Sequence, residues 1–243
     1  MILKKMFSRK WLLTTLLAFL GAAVCVRLGI WQLDRLEQRR AFNTQVESMR
    51  AAEPLDLNIE LPEDISAMEW RAVTVIGKYD FENQIALRNQ YNGDQYGYHL
   101  VTPLHFNGTA VLVDRGWIPA EGNSSPADWR AYDDEGEVTV TGQIRLGQVK
   151  PAFGGVEDAL PDNGEMLFVW NNLNLEQIAA QLEFPILDVY IQPNVEAGDT
   201  IPPFPFQPVV EISEGSHFGY ALQWFTFATI LFVGYPFYLR KQD

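Results

Sequence analysis

Two apolar runs bracket this chain, and they constrain its fold more than any other feature. Residues 11–30 read WLLTTLLAFLGAAVCVRLGI, with Arg27 as the one charge, and residues 218–239 read FGYALQWFTFATILFVGYPFYL, with none. A helix rises about 1.5 Å per residue, so a run of about 20 residues crosses a hydrocarbon layer roughly 30 Å thick. Backbone polar groups find no water in lipid, which leaves the α-helix as the form for such a span. The expectation is a membrane protein of α+β class. Its two transmembrane helices flank a β-rich, mainly antiparallel extracytoplasmic domain.

Charge beside the runs sets the expected orientation. Lys4, Lys5, Arg9 and Lys10 precede the first, and Arg240 and Lys241 follow the second. Basic residues next to spans are retained in the cytoplasm. Residues 1–10 and 240–243 are therefore expected as cytoplasmic tails, 11–32 and 218–239 as spans, and 33–217 as a periplasmic domain. The location this implies is a bacterial inner membrane, crossed twice. The basic start and the small residues Gly21, Ala22 and Ala23 also fit a cleaved signal peptide. The run is longer than the roughly 7–15 residues of a signal's apolar core, so an uncleaved anchor is expected. Arg27 can snorkel to the interface. Trp31 and the aromatics of the second run suit an interfacial belt. Pro236 predicts a kink near the end of the second span. Gly21, Ala22 and Ala23 permit close approach of another helix.

Residues 34–216 carry 11 Lys and Arg against 30 Asp and Glu, a formal charge of −19. So acidic a segment repels nucleic acid and anionic lipid headgroups, and no nucleic-acid partner is expected. An acidic face suits docking of a basic partner such as a c-type cytochrome. The single cysteine, Cys25, lies inside the first run. The intervening domain thus has no disulfide and no thiolate site for Cu(I). Paired His/Cys spacing for zinc, a Gly-rich phosphate loop and a G-x-S-x-G elbow are all missing from the sequence.

After the first span, residues 32–50 are polar and helix-favouring, which predicts a helical stalk broken at Pro54 and Pro62. Strands are predicted at 70–79, 84–90, 96–104, 110–114, 138–146, 166–170 and 186–191 from β-branched and aromatic runs bounded by turn residues. A short helix is predicted at 175–182, capped by Asn174. Residues 121–136 and 151–164 read as loops. A curled or partly closed antiparallel sheet is the expected outcome.

Three stretches together resemble the surfeit-locus-one (Surf1/Shy) family of cytochrome c oxidase assembly factors. They are LGIWQLDR at 28–35, VLVDRGWIP at 111–119 and SHFGYALQWF at 216–225. Weaker echoes are GKYD at 77–80 and YGY…TPL at 96–104. The match covers nearly the whole chain in order, with the same two-span layout. One departure is Glu214-Gly215, where the resemblance leads one to expect Asn-type residues before the histidine. The resemblance implies a non-enzymatic role in building haem–copper oxidase and transient handling of haem a. It also implies partnership with oxidase subunit I, other assembly factors and membrane lipid.

His217, at the mouth of the second span beside Phe218, Tyr220 and Trp224, is the leading candidate for a functional side chain. A neutral imidazole is a good axial ligand for haem iron, and an interface lets an apolar macrocycle lie against the span. The alternative is an interfacial histidine bonded to the helix start. Trp31, Gln32 and Arg35 sit at the mouth of the other span and can meet His217 across the hairpin, although helix packing explains them equally well. Arg115 can pair a carboxylate such as a haem propionate, or act as a structural ion pair beside a packed Trp117. His99 and His105 are expected in structural or solvated roles, and Asp80 and Asp114 on a solvated surface. Two further classes stay open: a cofactor-free scaffold for oxidase subunits, and a membrane enzyme acting on haem.

Overall fold

After a short helix α1 (Ile2–Met6), the proline-free residues up to 51 form one unbroken helix, α2 (Leu12–Ala51). The expected span and stalk are thus a single element. It stops three residues before Pro54, since a proline excludes helical backbone at the residue before it. The computed structural model describes residues 2–148, 155–161, 164–196, 198 and 200–242. It divides into two units, Met1–Gln45 with Val210–Asp243, and Val46–Val209.

In the first unit, α2 lies beside a second apolar helix. This begins as α5 (His217–Thr229), passes through one π-helical turn at Ile230–Gly234 and continues as α6 (Tyr235–Lys241). The π turn answers the expectation raised by Pro236. Proline at the second position of α6 cannot donate to the carbonyl four residues back, and widening that turn accommodates the ring. Small residues let the two helices close. The Cα of Gly21 faces Leu231, and the space a Cβ on Gly29 would fill is taken by the Phe225 ring. Ala22, Ala221 and Ala228 are buried. Near the chain ends, the Thr15 hydroxyl meets the Tyr235 hydroxyl at 2.6 Å, and Phe19 packs edge-on against Phe232. The outer faces stay bare: only 17% of the most apolar window of α2 is buried, and 11% of that in the second helix.

The second unit is a mixed sheet. Its strands are β1 (Leu55–Asp56), β2 (Ala72–Tyr79), β3 (Ile85–Asn92), β4 (Gln95–Phe106), β5 (Thr109–Pro119), β6 (Glu137–Arg145), β7 (Val169–Trp170) and β8 (Ile186–Pro193). They are joined in the order β1-β2-β6-β8-β5-β4-β3-β7, with a further pairing of β2 to β4. That last pairing, Lys78 to His105 and Tyr79 to Leu104, closes β2-β6-β8-β5-β4 into a five-stranded barrel. Closure removes free edges from these five strands. Parallel pairs occur at β1–β2, β3–β7 and β5–β8, and the others are antiparallel.

The barrel interior is filled by one face of each strand, including Val73 and Val75, Val111 and Val113, Val140 and Ile144, and Val189 and Ile191. The other face of β5 is covered too. Leu112 packs with Trp170 of β7, Ile178 of the short helix α4 (Leu175–Ala179) and Leu173 of the link between them. Burial on both faces is why β5 reads as a continuous apolar run rather than an alternation.

Several expectations change in detail. The strand expected at 110–114 extends to Pro119, the one expected at 166–170 shrinks to two residues, and α4 ends three residues early. The expected loop at 121–136 holds a helical turn, α3 (Pro126–Trp129). Its start is fixed by Asp128, whose carboxylate accepts from both the backbone N–H and the hydroxyl of Ser125. Those bonds hold the Asp128 carboxyl below its usual range. Trp129 is then buried against Leu100 and Ile118, its indole N–H donating to the Asn123 carbonyl at 3.0 Å. In the loop expected at 151–164, residues 155–161 and 164 are irregular, while 151–154 and 162–163 lie outside the described residues.

Candidate functional site

The first unit brings two of the residues singled out from the sequence into direct contact. His217 is the first residue of α5 and Gln32 lies on α2, and His217 Nδ1 sits 2.8 Å from Gln32 Oε1. An amide oxygen only accepts, so the contact is a hydrogen bond when Nδ1 is the protonated nitrogen. Gly215, two residues earlier, has φ of +64°, a left-handed conformation that glycine adopts without cost. Asn is the other residue that tolerates this conformation, which accounts physically for an Asn-type residue in the resemblance. A Cβ there would lie 3.7 Å from His217 Nε2, so glycine leaves that edge of the imidazole uncovered.

The segment leading into α5 is tied to α2. Arg39 donates to the carbonyls of Ser213 and Glu211. Arg40 forms a two-pronged pair with Glu214 at 2.7 and 3.0 Å. The hydrogen bond from Arg40 holds the Glu214 carboxyl below its usual range, and the same bond raises the Arg40 guanidinium. Glu214, the departure from the expected pattern, thus has its own partner. This pair is solvent-exposed and adds little stability. It links the residue three before α5 to α2.

Trp31 and Arg35 pair with each other instead of with His217. The Arg35 guanidinium lies 6.0 Å from the Trp31 ring centre and donates to Gln38. Tyr220 and Phe218 are exposed, and Trp224 is half-buried against Phe227. An imidazole with Nδ1 held and Nε2 without a hydrogen-bond partner among the described residues has the donor chemistry that an axial haem ligand needs.

Arg115 belongs to the barrel unit, and the structure places it in a brace. Leu100 faces Gly116 and Val101 faces Asp114, so Arg115 is the extra residue of a β-bulge in β5. Bulges re-aim a side chain, and here the guanidinium turns inward. It is almost fully buried, donating to Gln84 Oε1 at 3.0 Å, to the Tyr132 carbonyl and to Asp134 at 2.7 Å. The rings of Tyr79 and Phe81 lie about 5 Å from it. Burial pushes the Tyr79 hydroxyl up to about 12. Gly116 follows with φ of +120°, where the backbone of Phe204 approaches so closely that a Cβ would lie 2.3 Å from it. Phe204 and Trp117 exchange two backbone hydrogen bonds and stack their rings.

Asp114 is a correction to the sequence reading: it is buried, not solvated. Both its oxygens lie within 3.1 Å of Nδ1 of the equally buried His99. Register supplies the reason, because the bulge at Arg115 sets Asp114 beside the β4 residues near His99. Asp80 is partly buried and caps the turn Phe81–Asn83 while facing His105 at 3.3 Å. No cluster of three metal-ligating side chains occurs among the described residues.

Two apolar helices flanking a closed, β-rich domain define the class of protein. The chain belongs to the SURF1 family, whose model matches residues 19–229, and which is known in general for cytochrome oxidase assembly factors. It is similar to a SURF1-like protein of Rickettsia conorii, 26% identical with 94% of this chain and 92% of the relative covered. It is also similar to Surfeit locus protein 1 of Homo sapiens, 26% identical over 82% of this chain and 68% of the relative. The protein of the same name from Arabidopsis thaliana is 23% identical over 93% and 77%.

Proposed function

We propose that this protein is a membrane-anchored assembly factor for haem–copper cytochrome c oxidase that holds haem a through His217 while the catalytic subunit matures. The family supplies the oxidase. The observation that carries the haem reading is the His217–Gln32 contact at Nδ1, with Nε2 left without a hydrogen-bond partner among the described residues, at the start of an apolar helix. Exposed aromatic side chains of α5 offer an apolar bed for the macrocycle. Haem, when bound, supplies the iron centre. The chain's own part is to orient the imidazole and to anchor the site.

Membrane anchoring is part of the same proposal. The bare apolar faces of both helices need an apolar solvent, and lipid supplies one. Basic residues at both ends favour cytoplasmic tails and a periplasmic barrel in the inner membrane of a bacterium. Oxidase subunit I is the proposed partner. The role is a binding one, without turnover. A cofactor-free scaffold remains the rival, favoured by the extent to which Arg115, His99 and Asp114 are used internally.

Deletion of the gene tests the oxidase reading. The expected result is loss of most cytochrome c oxidase activity together with a fall in membrane haem a, both restored by the wild-type gene on a plasmid. Normal oxidase and haem a in the deletion strain would contradict it.

A further inference from the structure

We infer that Gln32 is a positioning residue: it fixes the proton of His217 on Nδ1 and so presents Nε2, with its lone pair, as the one nitrogen able to bind a metal centre. The inference deepens the haem reading above and depends on it only for what Nε2 binds.

Free imidazole exchanges its proton between two nitrogens, and a ligand nitrogen must be the unprotonated one. A partner that only accepts, held against one nitrogen, removes that ambiguity. Gln32 Oε1 is such a partner at 2.8 Å. Three features hold it there. Gln32 lies in the middle of α2, far from a fraying end. One helical turn before it, Gly29 lets the Phe225 ring of α5 approach to within 3 Å of its missing Cβ, which brings α5 close to α2. The two-pronged Arg40–Glu214 pair and the Arg39 bonds tie down the chain just before His217. On the far side of the ring, Gly215 leaves the Nε2 edge open. The arrangement thus closes one nitrogen and clears the other. A helix-packing glutamine would not need the contact with Nδ1.

The test uses the full chain in detergent micelles with 15N-labelled histidine. The protein has three histidines, so each ring gives a separable signal, and His217→Ala identifies the one in question. His99 and His105, each beside its own aspartate, serve as internal references. Expected are an Nδ1–H ring at His217 in the wild type and in Gln32→Glu, which keeps an acceptor in place. Gln32→Leu, of similar size and at home in an apolar helix, is expected to shift that ring towards Nε2–H and leave the two references unmoved. An unchanged tautomer in Gln32→Leu overturns the inference.

A second arm adds haem a and reads affinity and midpoint potential. Loss of the hydrogen bond to a ligand imidazole is expected to weaken binding about 10–100-fold in Gln32→Leu. The potential should rise in Gln32→Leu and fall in Gln32→Glu, since the bond sets the basicity of the ligand. Equal affinity and potential in all three proteins overturn the inference while leaving the haem reading intact. Should the wild type take up no haem while the tautomer behaves as expected, the haem reading falls and Gln32 stands as the residue that sets the imidazole.

Discussion

Replacing His217 with alanine is expected to abolish haem a co-purifying with the protein and to leave the fold in place. The structural cost is small because the side chain is half-buried and makes one hydrogen bond, worth about 1 kcal/mol. The functional cost is large because His217 is the ligand that the proposed site offers to the iron. In cells lacking the native gene, the variant should be made at normal level yet fail to restore oxidase activity. His105→Ala is the matching control. His105 already faces Asp80 and Phe184 and has no role in the proposed site, so that variant should behave as wild type. Full oxidase recovery with His217→Ala would remove this residue from the mechanism.

Gly116→Ala is expected to destabilise the barrel by about 3 kcal/mol, an effect drawn from two sources. A φ of +120° is one that a residue with a Cβ adopts only under strain. The new methyl group would also meet the Phe204 backbone at 2.3 Å, a distance that forces either β5 or the 204–205 segment to move. Movement there breaks the paired hydrogen bonds between Trp117 and Phe204 and unstacks their rings. Gly108→Ala separates the two sources. Gly108 has φ of +81° with nothing within 4 Å of its Cβ position, so the cost there is backbone strain alone, about 1 kcal/mol. Thermal unfolding of the three proteins, followed by circular dichroism in detergent, reads the difference. Equal losses at the two glycines would contradict the close packing of the 204–205 segment on β5.

The sequence disclosed the coarse plan because its signals are local. Two long apolar runs declare themselves by composition, and the stalk follows from the lack of proline up to residue 51. Strands such as β6 announce themselves by alternation. The failures share a physical cause, since each depends on register or on a partner distant in the chain. Asp114 looks like any exposed carboxylate until the bulge at Arg115 sets it beside His99. Barrel closure rests on two residue pairs between β2 and β4 that no periodicity encodes. β1 is too short to leave a pattern. The start of α3 does have a local signal: Ser125-Pro126, with Asp128 three residues after the serine, is a helix-start pattern inside a stretch whose composition is that of a loop. In the candidate site, the sequence sets Trp31, Gln32 and Arg35 within reach of His217. That Gln32 makes the contact, while Trp31 and Arg35 pair with each other, depends on the rotation of α2 and so on side-chain packing.

An absorption spectrum of the wild-type protein, purified in detergent from cells that make haem a, tests the central claim most directly. The account predicts a Soret band with the spectrum of haem a and a stoichiometry approaching one per chain. A protein that is folded and supports oxidase assembly, yet shows no such band even after haem a is added, would contradict it and leave a cofactor-free scaffold in its place.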